Sequence, residues 1–197
     1  MNILLPTTVD GVTVTVNGQP AFITYVSPVQ INFVTPVGLP TSGPMTVVVS
    51  NNTLTSATVS TTLQFIAPAV FLSSANANYL AALHANNTIV GPTTLVANNS
   101  TPATPGETII FFGTGFGATT PAAVSGQVVV VPEPLVSTPV VLFGNMPATV
   151  RFAGLIATSV YQFNVVVPSG LPDGDVPVVV STGGYSTPAL VLTTIKN

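Results

Sequence analysis

Between Gly11 and Val16 the chain alternates valine and threonine (Val12, Thr13, Val14, Thr15, Val16). A period of two places every second side chain on one face of a β-strand. Asn17-Gly18 follows, a dipeptide suited to the two left-handed positions of a type I′ hairpin turn, and Ala21–Val26 is the predicted return strand. Further strands are predicted over Gln30–Val34, Met45–Ser50 and Ser56–Ile66. They are separated by Pro36, by Gly38-Leu39-Pro40 with Ser42-Gly43-Pro44, and by Asn51-Asn52, all of it turn chemistry. After residue 104 the pattern predicts a strand at Glu107–Phe112 and a glycine-rich bend at Gly113–Gly117. Strands at Gln127–Val131, Thr138–Phe143, Ala148–Phe152, Tyr161–Val167, Val176–Thr182 and Ala189–Thr194 come next. Short strands with turn signals at this spacing describe an all-β, immunoglobulin-like sandwich. No convincing amphipathic helical period interrupts them.

The strand pattern occurs twice. Gly18-Gln19-Pro20-Ala21 answers Gly144-Asn145-Met146-Pro147-Ala148, and Gln30-Ile31-Asn32 answers Gln162-Phe163-Asn164. Pro36 answers Pro168, Leu39-Pro40 answers Leu171-Pro172, and Val47–Ser50 answers Val178–Ser181, with a short insertion in the second copy between Phe152 and Tyr161. A period this long marks duplication of a whole domain, unlike the short units of a solenoid. The second copy opens with Pro105-Gly106-Glu107-Thr108-Ile109-Ile110-Phe111-Phe112-Gly113-Thr114-Gly115-Phe116-Gly117, and this sequence holds no counterpart of that segment ahead of the first copy. The expected organisation is two tandem immunoglobulin-like β-sandwiches. An incomplete domain over 1–68 lacks its opening strand, a connector over 69–104 holds short strands or a hairpin turning at Asn86-Asn87, and a complete domain spans 105–197.

Composition narrows the function. Charged residues make up 4 % of the 197 residues, with a net charge of −3, against about a quarter in ordinary soluble domains. Nucleic-acid binding needs clustered lysine and arginine and is excluded as an expectation, as is attraction to an anionic membrane surface. Mean hydropathy is +0.68, yet no apolar run reaches the roughly 20 residues of a spanning helix. The 19 prolines also disfavour a membrane barrel, because proline donates nothing to a strand ladder. No membrane insertion is expected. There is no cysteine, so no disulfide supports the fold. With so few charges, repulsion between copies is weak and association is favoured.

Candidate chemistry is sparse. His84 is the sole histidine, and every carboxylate is distant from it in sequence. Asp173-Gly174-Asp175 is the one candidate calcium pair, since Ca²⁺ takes carboxylate oxygen ligands, but it lacks the further acidic spacing of a calcium loop. Glu107 and Glu133 are the two carboxylates available for a glycosidase-type pair, with no cleft predicted between them. Gly113–Gly117 has a phosphate-loop look but is followed by Thr119-Thr120-Pro121 instead of a helix. The sole lysine, Lys196, is a candidate for an isopeptide bond to a neighbour, with a solvated terminal side chain as the plainer reading. Asn51, Asn86, Asn98 and Asn99 begin Asn-X-Ser/Thr sequons and are candidate glycan acceptors. No cofactor and no enzymatic activity are expected.

The segment Pro105–Ile109 followed by Gly113–Gly117 resembles the opening of IPT/TIG-type immunoglobulin-like domains. A longer set runs through Leu5-Pro6-Thr7-Thr8, Val16–Ala21, Tyr25-Val26-Ser27-Pro28, Gln30-Ile31-Asn32, Ala67–Phe71, Ala82-Leu83-His84, Pro105–Thr108, Tyr161–Asn164 and Val167-Pro168. Together these resemble the conserved carboxy-terminal region of large secreted proteins of Acidobacteria and related soil bacteria. The resemblance implies the sandwich fold and an extracellular or cell-surface address, and no reaction. It also implies a Pro-Gly strand and glycine-rich bend ahead of Leu5-Pro6-Thr7-Thr8. A sandwich without that strand exposes unpaired backbone and part of its core. The expected function is therefore a structural subunit that polymerises with itself, head to tail, by β-strand complementation. The donor residues are expected at one of the chain ends, Ile3, Leu4 and Leu5 or Leu190, Val191 and Leu192, or in the connector. The alternative is a non-catalytic adhesion or carbohydrate-binding accessory module cut from a larger secreted protein, with its opening strands upstream of Met1 and cell-surface glycans as the expected partners.

Overall fold

The computed structural model describes residues 3–76 and 78–197, which form strands, turns and loops with no helix among them. They gather into two compact units. The first holds Met1–Phe65, Ala122–Val131 and Ala157–Ser159; the second holds Ile66–Pro121, Pro132–Ile156 and Val160–Asn197. Among the described residues, no helix is long and apolar enough to cross a membrane.

In the first unit the alternating run forms the strand Val12–Val16, its valines buried and its threonines half-buried. One sheet runs Thr8–Val9, Val12–Val16, Gly43–Asn51, Leu54–Thr55. Gln19–Pro20 is added on Val12–Val16 and Val59–Leu63 on Gly43–Asn51. The other sheet is the antiparallel hairpin of Phe22–Ser27 and Gln30–Val34. Asn17 and Gly18 both take positive φ (49° and 77°), as a type I′ turn requires, and the Asn17 side-chain carbonyl accepts the Thr46 amide at 2.8 Å. Val14, Val16, Ala21 and Met45 form the buried centre, with Ile31, Phe33, Leu39, Val47, Val49 and Leu63 packed on it only partly buried.

The strand expected over Gln127–Val131 does not form. Gln127 makes a single bridge to Leu4, with Leu5 N donating to Gly126 O at 2.7 Å and Val128 N to Ile3 O at 2.8 Å. Val130 and Val131 are left exposed. A valine run needs a sheet edge to become a strand, and Pro132 and Pro134 remove donors just beyond this one. Gly126 has φ +78°, and its Cα lies against the Phe22 ring where a Cβ would collide.

In the second unit one sheet runs Ser100–Thr101, Ile89–Val90, Ala82–Leu83, Thr108–Thr114, Val160–Val166, Thr149–Ala157, Glu133–Pro134, with Ala69–Val70 also on Thr108–Thr114. The other runs Met146–Pro147, Val140–Phe143, Gly174–Thr182, Tyr185–Ser186, with Leu192–Ile195 on Gly174–Thr182. The hairpin expected at Asn86-Asn87 forms, with Leu83 opposite Ile89 and Asn87 at φ 65°. An aromatic cluster fills the core. Phe111 and Phe163 stack at 5.0 Å, and Phe116 meets Phe163 edge-on at 4.6 Å.

The duplication extends to single bonds. Ala21 N donates to Val14 O at 2.8 Å as Ala148 N does to Val141 O at 2.9 Å. Ser50 and Thr55 pair their hydroxyls across one hairpin at 3.3 Å, as Ser181 and Ser186 do at 2.8 Å. The equivalent strands of the two units can therefore be compared residue by residue.

Candidate functional site

His84, Glu107, Glu133, Asp173, Asp175 and Lys196 of the second unit are engaged in structural contacts. His84 is not remote from the carboxylates, as its sequence position suggests. Its Nδ1 lies 3.1 Å from Glu107 Oε2, and its Nε2 lies 3.1 Å from Thr101 O. Glu107 Oε1 accepts the Thr104 amide at 2.8 Å. The pairing of Ala82–Leu83 with Thr108–Thr114 brings these residues together across 23 positions, a proximity that only the sheet order reveals. Glu133 instead accepts from the Thr119 hydroxyl at 3.2 Å, so Glu107 and Glu133 serve different neighbours. The glycine bend holds Gly115 and Gly117 at positive φ (77° and 97°), and no helix follows it.

Asp175 accepts from Thr194 Oγ1 at 2.6 Å and from the Tyr79 hydroxyl at 2.8 Å, a bond that raises the Tyr79 pKa. Asp173 accepts from Lys196 Nζ at 2.6 Å and from the Asn197 backbone amide at 2.8 Å. No set of three metal-ligating residues gathers among the described residues. The Lys196 hydrogen bond, followed by those of Asn197, holds the Asp173 carboxyl down to about 2. A depressed folded-state value makes the contribution full above the ordinary carboxylate value, with loss as the pH falls toward 2. Asp173→Asn is expected to flatten this part of the stability-pH curve, measured by urea titration between about pH 2 and 4. The candidate glycan acceptors Asn51, Asn86, Asn98 and Asn99 are all exposed.

The larger feature is a seam. In the second unit Thr108–Thr114 runs antiparallel to Val160–Val166, with Ile109 opposite Val165, Phe111 opposite Phe163 and Gly113 opposite Tyr161. Just ahead of it, Ala103 N donates to Thr194 O at 2.8 Å and Lys196 N to Ala103 O at 2.9 Å. Gly106 N donates to Val167 O, and Val167 N to Glu107 O, each at 2.9 Å. Residues 103–113 thus join the strand Val160–Val166 to the strand Leu192–Ile195.

In the first unit the counterparts of those two strands are Gln30–Val34 and Val59–Leu63. Each pairs with a strand on one side only among the described residues. The side chains register the difference. Val29 is 94 % exposed where its counterpart Tyr161 is 8 % exposed, and Val59 is 60 % exposed where Val191 is 6 % exposed. Ile31, Phe33 and Leu63 are only partly buried, whereas Phe163, Val165 and Ile195 are sealed in the core. A cleft of about 270 Å³ bordered by Thr35, Pro36, Leu39, Leu63 and Phe65 occupies the place where Ala103–Glu107 lies in the second unit. The Thr35 carbonyl, counterpart of Val167 O, accepts instead from the Ser125 hydroxyl.

An unpaired strand edge beside a partly exposed apolar floor has the chemistry of strand addition. Backbone groups supply the bonds and alternate side chains supply the fit. Of the expected donor residues, Ile3 and Leu4 expose their side chains while Leu5 donates its amide to Gly126. Leu190 is exposed and Val191 buried, and Leu192 opens the strand paired with Gly174–Thr182. The first two residues of the amino end lie outside the described residues.

Among curated proteins, none matches the chain. Immunoglobulin-like domains of the IPT/TIG type are generally non-catalytic and commonly occur in extracellular or surface proteins. It is this type, described as the IPT/TIG domain, whose family model matches residues 4–67.

Proposed function

We propose that the chain is a structural subunit of an extracellular filament or surface assembly, in which a β-strand of a neighbouring copy completes the first unit. The open seam carries this reading. Bringing a half-exposed Val59, Ile31 or Phe33 to full burial stabilises the assembly by about 1 kcal/mol each, in addition to the backbone bonds of an added strand. A contact between two different surfaces, repeated head to tail, builds a filament. The scarcity of charge leaves little repulsion to oppose it. The exposed Ile3 and Leu4, or the exposed Leu190 beside the last strand, are the donor ends it offers. Electron microscopy with light scattering of the purified chain tests the reading. Fibres of uniform width, with mass rising with concentration, are expected. Monodisperse monomers across the concentration range overturn it. The IPT/TIG match over residues 4–67 favours a second reading, a non-catalytic adhesion or accessory module.

A further inference from the structure

We infer that the seam of the first unit is a strand acceptor of fixed register, whose occupant is an extended segment, uncharged at its inward positions, with the apolar spacing of Ala103–Gly113. The inference rests on the strand-addition reading above and specifies its ligand. The second unit supplies the template, because the same sandwich there holds such a segment.

Transferred to the first unit, the occupant runs antiparallel to Gln30–Val34. Its entering turn takes the place of Ala103–Glu107 in the 270 Å³ cleft, with one backbone amide aimed at Thr35 O as Gly106 N is aimed at Val167 O. The Ser125 hydroxyl already bonded there is no obstacle, since a carbonyl oxygen accepts through two lone pairs. The next inward positions correspond to Ile109 and Phe111, opposite Val165 and Phe163. In the first unit they fall opposite Phe33 and Ile31, whose side chains are the partly buried ones. The position of Gly113, opposite Tyr161, falls opposite the exposed Val29.

The seam selects by polarity. Thr35, Leu39, Leu63, Phe65, Ile31 and Phe33 carry no charge, so a charged side chain at an inward position is desolvated without a partner. At an outward position the same side chain stays in water. Alternate residues of the occupant therefore differ sharply in what they tolerate, as in other peptides that bind by strand addition.

The test uses the full chain and a labelled synthetic peptide of residues 102–115. Its readouts are titration and amide hydrogen exchange at Gln30–Val34. Saturable binding with new protection of those amides is expected. A peptide carrying Phe111→Asp is expected to bind about 100-fold more weakly, the scale of an unpaired buried charge, and one carrying Phe112→Asp within about threefold of the parent. Equal loss for both peptides overturns the register, and binding without protection of Gln30–Val34 overturns the location. If the chain assembles but the peptide neither binds nor shortens the assemblies, the inference fails while the assembly reading stands. If the peptide binds a chain that stays monomeric, the inference stands and the assembly reading fails.

Discussion

Truncating Phe163 to alanine is expected to cost the second unit about 3–5 kcal/mol, the usual scale for a buried phenylalanine. Truncating its counterpart Ile31 is expected to cost the first unit only about 1 kcal/mol. Phe163 is stacked on Phe111 at 5.0 Å and met edge-on by Phe116 at 4.6 Å, so its removal leaves a cavity walled by two rings that cannot collapse into it. Ile31 packs on the first core from one side and is partly buried. Its truncation removes less apolar area from water-free surroundings, and solvent already reaches the space it vacates. Amide exchange resolved by residue, read separately for Val160–Val166 and for Gln30–Val34, measures the two costs. Equal costs for the two truncations would refute the claim that the first core is open at the seam.

The second large effect is a backbone collision. Gly113 and Gly115 stand where a Cβ would overlap the carbonyl oxygens of Ala69 and Ala67, and Gly115 O accepts the Ala67 amide at 3.0 Å. Neither wall is a flexible side chain, so the two segments must separate to admit a methyl group. Gly115→Ala is expected to destabilise the second unit by about 3 kcal/mol or more, in the range of strain at a special backbone position. The matched control is Gly18→Ala. Gly18 has the same φ of +77° with nothing within 4 Å of an added Cβ, so it carries only the left-handed penalty of about 1 kcal/mol. Thermal unfolding of the two variants should differ by about 10 °C, taking roughly 4–8 °C per kcal/mol for a unit of this size. A similar loss in both variants would leave the close approach of Ala67 without energetic weight.

Much of the architecture was legible in the chain because a period of two is hard to mistake. Gln30–Val34 forms with the predicted bounds, and Asn17-Gly18 turns as its chemistry demands. The strand predicted at Met45–Ser50 extends to Gly43–Asn51, because a partner strand on each side carries pairing beyond the apolar core of the run. Gln127–Val131 failed for the opposite reason. Valine content reports fitness for a pleated surface and says nothing about whether an edge is available. The contact between His84 and Glu107 was hidden because sequence separation carries no information about which strands become neighbours. The partly exposed core beside Gln30–Val34 was not legible in the strand pattern, because the exposure of Val29 and Val59 and the cleft beside Thr35 depend on which strand edges are covered.

The second unit also has a mechanical character. Its last strand is held from outside by the connector through parallel bridges, Tyr79 with Leu192 and Ala103 with Ile195. Leu80 N donates to Leu192 O at 2.9 Å and Leu192 N to Asn78 O at 2.8 Å. The bonds between Ala103 and residues 194 and 196 continue the same line. The connector enters this unit from Ile66 and the last strand leaves it toward Asn197. Tension between those two ends pulls the neighbours in opposite directions along their common axis. The bonds are then sheared together instead of being peeled one at a time. Resistance to force is governed by the rate of unfolding and not by equilibrium stability, so a sandwich with few charges and no disulfide can still transmit tension.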